Sequence, residues 1–212
     1  DGLACLSIDV ESNPDKNNRI FKLGAARSDS DATLDLDTGR TSKQQVVQRL
    51  NQFAQGADLV LGHNLRRHDL PALEAQFPGL DCPRLPILDT LELSPLAFPR
   101  NPYHRLIKAY KLASDSRNDP LKDARLALDL LAEEIEAFAQ MNANDPTWTG
   151  VLHFLLRDDA ALSRIFGKLR DKPPPNLEQA RKAVRSGFSD SCCCTRLEQL
   201  LRVDLDGDLE LR

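Results

Sequence analysis

A chain of 212 residues and 23.7 kDa has room for one ordinary domain with an appendage, or for two small domains. It is 41% hydrophobic and 28% charged, a balance that excludes a disordered chain. Its net charge of -4 excludes a domain that grips nucleic acid by bulk positive charge, though not one that holds it locally. The five cysteines are Cys5, Cys82 and the adjacent Cys192, Cys193 and Cys194. They form neither a disulfide framework nor a C-x-x-C zinc pair, and they suit a reducing, cytoplasmic setting. No apolar stretch approaches membrane-spanning length, no signal peptide is recognisable, and no membrane partner is expected. The chain opens at Asp1 within an apolar run and its only methionine is Met141, so a piece of a longer polypeptide is expected.

Residues 3–10 (LACLSIDV) have the length and apolarity of a buried central strand. Residues 19–27 and 33–37 read as two further strands, separated by the turn-forming Ser28, Asp29, Ser30 and Asp31. Over 42–55, Val46, Val47, Leu50 and Phe53 recur at helical spacing, and Gly56 is placed to stop the helix. A short strand follows at 59–61. Next come a helix at 70–77 with Pro71 in its first turn, a fifth strand at 86–91, and helices at 106–112 and 121–141. The order predicts an α/β fold: a five-stranded mixed sheet flanked by helices. Composition shifts near Asn142, giving a first domain over 1–142 and a small C-terminal helical appendage over 143–212. Helices are predicted there at 151–169, 177–186 and 195–201. Lys172, Pro173, Pro174 and Pro175 break the first two apart, Asn176 with Gln179 forms a capping box, and Gly187 ends the second.

The chemistry is carried by acids at strand ends and helix starts. Asp9 and Glu11 are two apart on the first strand, so both carboxylates leave the same face. Paired like charges beside an apolar strand repel, and oxygen-preferring divalent cations such as Mg²⁺ or Mn²⁺ relieve the repulsion. The stretch 59–73 (LVLGHNLRRHDLPAL) places Asp69 at the opening of a helix. The stretch 118–128 (NDPLKDARLAL) places Asp123 in the first turn of another. Asp9, Glu11, Asp69 and Asp123 thus form a four-carboxylate set.

On these residues the chain resembles the DEDD 3′–5′ exonucleases of the RNase-H-like fold, the group that includes polymerase proofreading subunits and RNase T. The likeness runs over about 3–138. Ile8-Asp9-Val10-Glu11 matches the first motif, Gly62-His63-Asn64 through Asp69 the second, and Asp123-Ala124 the third. Lys22-Leu23-Gly24-Ala25 and Leu88-Asp89-Thr90 resemble the family's second and fifth strands. Residues 102–112 followed by 118–128 also resemble exonuclease domains fused to bacterial RecQ-type helicases. The resemblance implies phosphodiester hydrolysis with two divalent ions. Asp9 would bridge both ions, Glu11 and Asp123 would serve the water side, and Asp69 would complete the second position. The backbone at Val10, the Ser12 side chain and Asn64 would meet the terminal nucleotide.

Two departures from the family pattern stand out. Where one subgroup has a general-base His five residues before the last Asp, this chain has Asn118. Where another has Tyr four residues before it, this chain has Asp119. Asn can orient water but cannot take its proton, so slower activity, or activity needing a higher pH, is expected. His68 replaces an aromatic or apolar residue and is read as a packing histidine, with proton transfer or a nucleotide contact as its other use. Asp119 before Pro120 reads as a helix N-cap, and Asp89 as a residue that caps or braces its loop. Arg66 and Arg67, with Arg100, Arg105, Lys108 and Lys111, are candidate phosphate contacts, and Tyr103 and Tyr110 candidate stacking groups. Glu133, Glu134 and Glu136 read as a solvated helix face. The expected function is 3′–5′ exonuclease action on single-stranded or frayed DNA ends, within a larger helicase or other DNA-processing and repair protein. A nuclease-fold docking module that has lost efficient catalysis is the rival, and an RNA exonuclease a further alternative.

Overall fold

The computed structural model describes residues 2–13, 15, 18–101 and 119–188. The readings made above for Asn118, Arg105, Lys108, Lys111, both tyrosines, Cys192 to Cys194 and the helices at 106–112 and 195–201 lie outside them. The chain divides into two compact units, Asp1–Phe138 and Ala139–Arg212.

In the first unit, β1 (Cys5–Asn13), β2 (Arg19–Arg27) and β3 (Thr33–Asp37) form an antiparallel meander, and α1 (Lys43–Ala54) leads to β4 (Leu59–Gly62). A π-helical turn over Leu65–Asp69 runs into α2 (Leu70–Gln76), followed by β5 (Ile87–Asp89), α3 (Thr90–Ala97) and α4 (Pro120–Asn144). The sheet order is β3-β2-β1-β4-β5, with β4 parallel to both β1 and β5. This is the five-stranded mixed sheet that the sequence predicts, with β1 central because its LACLSIDV run is apolar enough to be covered on both faces.

Alternation along β1 sorts its side chains. Leu6, Ile8 and Val10 enter a core shared with Val46, Leu50 and Ala54 of α1 and with Leu70 and Leu73 of α2. Full burial of each larger aliphatic side chain is worth about 1.5–3 kcal/mol. The Ser42–Gln45 capping box starts α1, and Gly56 follows its end with φ of 75°. Ser7, Asp9 and Glu11 take the opposite side of the pleat. There the Ser7 hydroxyl donates to the Ala124 carbonyl at 2.7 Å, tying β1 to α4. Gly24 of β2 stands opposite Asp9 in register. A Cβ on it would fall well inside van der Waals distance of the Leu121 nitrogen and the Pro120 carbonyl carbon, so this glycine lets α4 lie directly on the sheet.

Several element boundaries differ from the sequence reading. β1 continues beyond Val10 to Asn13, through a register shift between Glu11 and Ser12. The fifth strand stops at Asp89, because that carboxylate accepts the Leu91 N–H at 3.0 Å and starts α3, which hydrophobic patterning alone did not reveal. Glu134 is not solvated: it is fully buried and accepts a 2.5 Å hydrogen bond from the Ser94 hydroxyl. Ser94 lies on α3, the helix absent from the sequence reading, so the acid's burial could not be anticipated.

In the second unit the helix read over 151–169 is two helices, α5 (Pro146–Leu155) and α6 (Ala160–Arg170), followed by α7 (Leu177–Phe188). Asp159 makes the break by accepting the N–H groups of Ala161 and Leu162 at 2.9 and 3.0 Å. The Asn176–Gln179 capping box is present with both bonds at 2.9 Å, but α7 continues through Gly187 to Phe188. Val151, Leu152, Phe154, Ile165, Phe166 and Ala180 are buried here. Among the described residues no helix is long and apolar enough to cross a membrane.

Candidate metal centre

Asp9 and Glu11 leave β1 on the face where α4 arrives, and Asp123 sits in the first turn of α4. These three carboxylates converge, with one oxygen from each lying within 4.8 Å of the others. Asp123 is 5% exposed, while Asp9 and Glu11 are half-buried. The helix start that delivers Asp123 is built locally. Asp119 is the N-cap, accepting the Lys122 N–H at 3.2 Å through Oδ1 while its carbonyl accepts the Asp123 N–H at 3.1 Å. Burial pushes the Asp119 carboxyl up, but the backbone N–H and ammonium of Lys122 and the charge of Lys22 outweigh it, holding the group below the usual carboxylate range. Asp119 is thereby committed to starting the helix, as the sequence predicts.

Asp69 stands outside the three-carboxylate group, at the end of the π-helical turn and 3% exposed. Burial pushes its carboxyl up to about 6. His68, with Nδ1 3.3 Å from Asp69 Oδ1, pulls it down, the Asp89 charge adds to the rise, and a hydrogen bond from the Val10 backbone favours the ionised form. That last bond joins Asp69 to the residue between Asp9 and Glu11. The His68 side chain is 59% exposed, so it is not the packing histidine that the sequence suggests. It turns outward because the apolar places in the turn are taken by buried Leu65 and Leu70.

Asp89 fixes the loop that leads to Asp69. Besides capping α3, it accepts the N–H of Asn64 at 2.8 Å and of Arg66 at 3.0 Å. Asn64 has φ of 68°, the left-handed conformation that an Asn tolerates and that turns the chain out of β4 into the π-helical turn. The Arg66 guanidinium donates to the Ile87 carbonyl at 2.6 Å and lies 3.2 Å from a Glu92 carboxylate oxygen. Val10 places its side chain in the core, and only its backbone is on the site side. Ser12 lies past the register shift, opposite Ile20. Two residues that position the site escaped the sequence reading as such: Ser7, a lone hydroxyl in an apolar run two places before Asp9, and Gly24, noticed only as part of a strand.

Three carboxylates sharing this space repel one another, and each offers hard oxygen donors. The set fits a divalent cation of the Mg²⁺, Mn²⁺ or Ca²⁺ kind better than a thiophilic one.

No protein-family model matches the chain, and no curated protein matches it. Among solved structures it is similar to a family B DNA polymerase from the hyperthermophilic archaeon Pyrobaculum calidifontis, at 13% identity and a TM-score of 0.43. The match covers 89% of this chain and 29% of the polymerase, so the chain spans under a third of that protein's length.

Proposed function

We propose that the chain is a metal-dependent 3′–5′ exonuclease of RNase-H-like fold, acting on single-stranded or frayed DNA ends within a larger DNA-processing protein. The observation that carries the reading is the convergence of Asp9, Glu11 and Asp123, two from the first strand and one from a helix more than a hundred residues later. An acidic cluster held together by a buried Ser7–Ala124 bond and a glycine contact is a costly arrangement for a binding surface, and a useful one for holding cations. Divalent ions bound there would supply water activation and stabilisation of the leaving 3′ oxygen.

In this reading Asp9, Glu11 and Asp123 hold the cation, and Asp69, braced through Asp89 and the Val10 backbone, completes the carboxylate set. Ser12 and the Val10 backbone line the approach of the terminal nucleotide, with Asn64 and Arg66 on the neighbouring turn and Arg105 and Lys108 as further phosphate contacts. Asn118, in the sequence position of a general base, cannot itself take the water's proton, and hydrolysis is expected to accelerate toward alkaline pH. The same Asn118 supports the rival reading, a docking module with weakened catalysis.

A 5′-labelled single strand incubated with Mg²⁺ or Mn²⁺ tests the proposal. Stepwise shortening from the 3′ end, lost by at least about 100-fold in Asp9→Asn and Asp123→Asn, is the expected result. A strand left intact with both metals from pH 7 to 9.5 would refute it and leave the docking module. A ribo-oligonucleotide degraded faster than its DNA counterpart would move the substrate to RNA.

A further inference from the structure

The helical unit carries a groove of about 410 Å³, remote in sequence from the carboxylates of the metal centre. Gly150 and Val151 of α5, Ala183 of α7 and the successive Pro173, Pro174 and Pro175 form much of its wall. Arg170 and Lys172 are its charged lining residues, and among the described residues no acid lines it. Arg170 is held in one orientation. Its Nη1 donates to the His153 Nδ1 at 3.0 Å and to the Pro173 carbonyl at 3.2 Å. Its Nη2 lies against Gly150, where a Cβ would stand 3.1 Å away. His153 is 1% exposed beside Phe166, and burial together with the Arg170 charge holds its pKa below the usual imidazole value, so the neutral ring accepts the bond.

Among the described residues no carboxylate pairs with Arg170. Its place in the last turn of α6 favours a cation through the helix dipole. The dipole does not account for a guanidinium pinned by a buried histidine over a glycine and partly withdrawn from water without a counter-anion. An arginine set in this way is prepared for a carboxylate.

The same chain contains a segment of matching chemistry. Residues 203–211 read VDLDGDLEL, with acids at Asp204, Asp206, Asp208 and Glu210 and apolar side chains at Val203, Leu205, Leu209 and Leu211. In extended form a period of two puts the acids on one side and the apolar groups on the other. The fourteen residues 189–202 separate this segment from the end of α7, a span of up to about 45 Å. Ala183 of α7 already lines the groove, so reach is not limiting.

We propose that segment 203–211 docks into this groove of its own chain, its carboxylates on Arg170 and Lys172 and its leucines against Val151 and the three prolines. The helical unit would then be completed by an internal acidic–apolar strap, independent of any nuclease chemistry.

Hydrogen exchange on the full chain tests this without an activity measurement. Amides of 203–211 are expected to exchange at least about 10-fold more slowly than in the free peptide. The protection should be lost when the segment is neutralised (Asp204→Asn, Asp206→Asn, Asp208→Asn, Glu210→Gln), a change that leaves the groove intact. It should also be lost in Arg170→Glu with Lys172→Glu, and return when that pair is combined with Asp204→Lys and Asp206→Lys. Protection of α5 and α6 amides reports whether each variant remains folded. Free-peptide exchange rates in the unaltered chain, protection that survives neutralisation, or a charge swap that fails to restore it in a folded variant would each overturn the proposal. Protection that grows with protein concentration would also overturn it, by placing a second copy's segment in the groove.

Discussion

Glu134 is fully buried on α4, with Oε1 on the Ser94 hydroxyl and Oε2 without a hydrogen-bond partner among the described residues. Burial pushes its carboxyl up to about 8; the Ser94 bond opposes the rise, and the charges of Asp89 and Glu133 add to it. The folded state therefore holds this proton where the unfolded chain, near the ordinary 4.5, has released it. Between those values the folded state binds more protons, so this group's contribution to stability falls as pH rises from about 4.5 to about 8 and is flat above. Glu134→Gln keeps a partner for Ser94 and removes the ionisation. Thermal melts of the variant are expected to show less pH dependence across that window and a higher midpoint above pH 8. Each 1 kcal/mol regained is worth about 2–4 °C in a chain of this length. A variant that melts with the same pH slope as the parent would show that Glu134 stays ionised throughout. Asp69 is raised by the same cause but completes the proposed carboxylate set beside Asp9, Glu11 and Asp123, so a cation bound there would favour its ionised form.

At the scale of elements, the site depends on how closely α4 approaches the sheet. Gly24→Val would force the Pro120–Leu121 backbone away from β2, carrying Asp123 off Asp9 and Glu11. Overpacking of this kind costs about 1–3 kcal/mol. The expected signature is a modest loss of stability with a drop of at least about 10-fold in Mn²⁺ affinity, read by calorimetry on the metal alone. Unchanged affinity would mean that the α4 start re-seats without moving Asp123. The loop after β4 depends on Asp89 in the same way. Asp89→Ala removes the acceptor of three backbone N–H groups, those of Asn64, Arg66 and Leu91, and is expected to cost roughly 2–4 kcal/mol in denaturant unfolding. Asp89→Asn keeps one acceptor oxygen and should recover part of the loss.

At the scale of the whole molecule, the two units differ in what a cation can do to them. The carboxylate cluster belongs entirely to the first unit, so binding stabilises that unit by mass action, about 2.7 kcal/mol at a hundredfold excess over the dissociation constant. Hydrogen exchange with and without Mn²⁺ is expected to slow in β1, β2 and the start of α4, and to leave α5, α6 and α7 unchanged. Asp9→Asn should erase the difference. Equal slowing in α5 to α7 would show that the cation acts elsewhere or on both units.

The strands, the acidic motif and the caps at Asp119 and Asn176 are legible in the chain alone, because each is a local matter. Apolar runs of strand length, the i, i+2 spacing of Asp9 and Glu11, Asp119 before Pro120 and the Asn176–Gln179 pair can each be read within a few residues. Boundaries set by a single side chain were harder to read, since Asp89 and Asp159 end one element and start the next without a change in hydrophobic pattern. Which acids meet is settled by packing between distant parts of the chain. Asp123 reaches Asp9 and Glu11 because Gly24 admits α4 and Ser7 ties it down, whereas Asp69 is braced beside β1 outside that trio, and Glu134, written like a surface acid, is buried against α3. These outcomes depend on contacts between residues far apart in the chain, and the chemistry of a carboxylate changes with the neighbours it finds there.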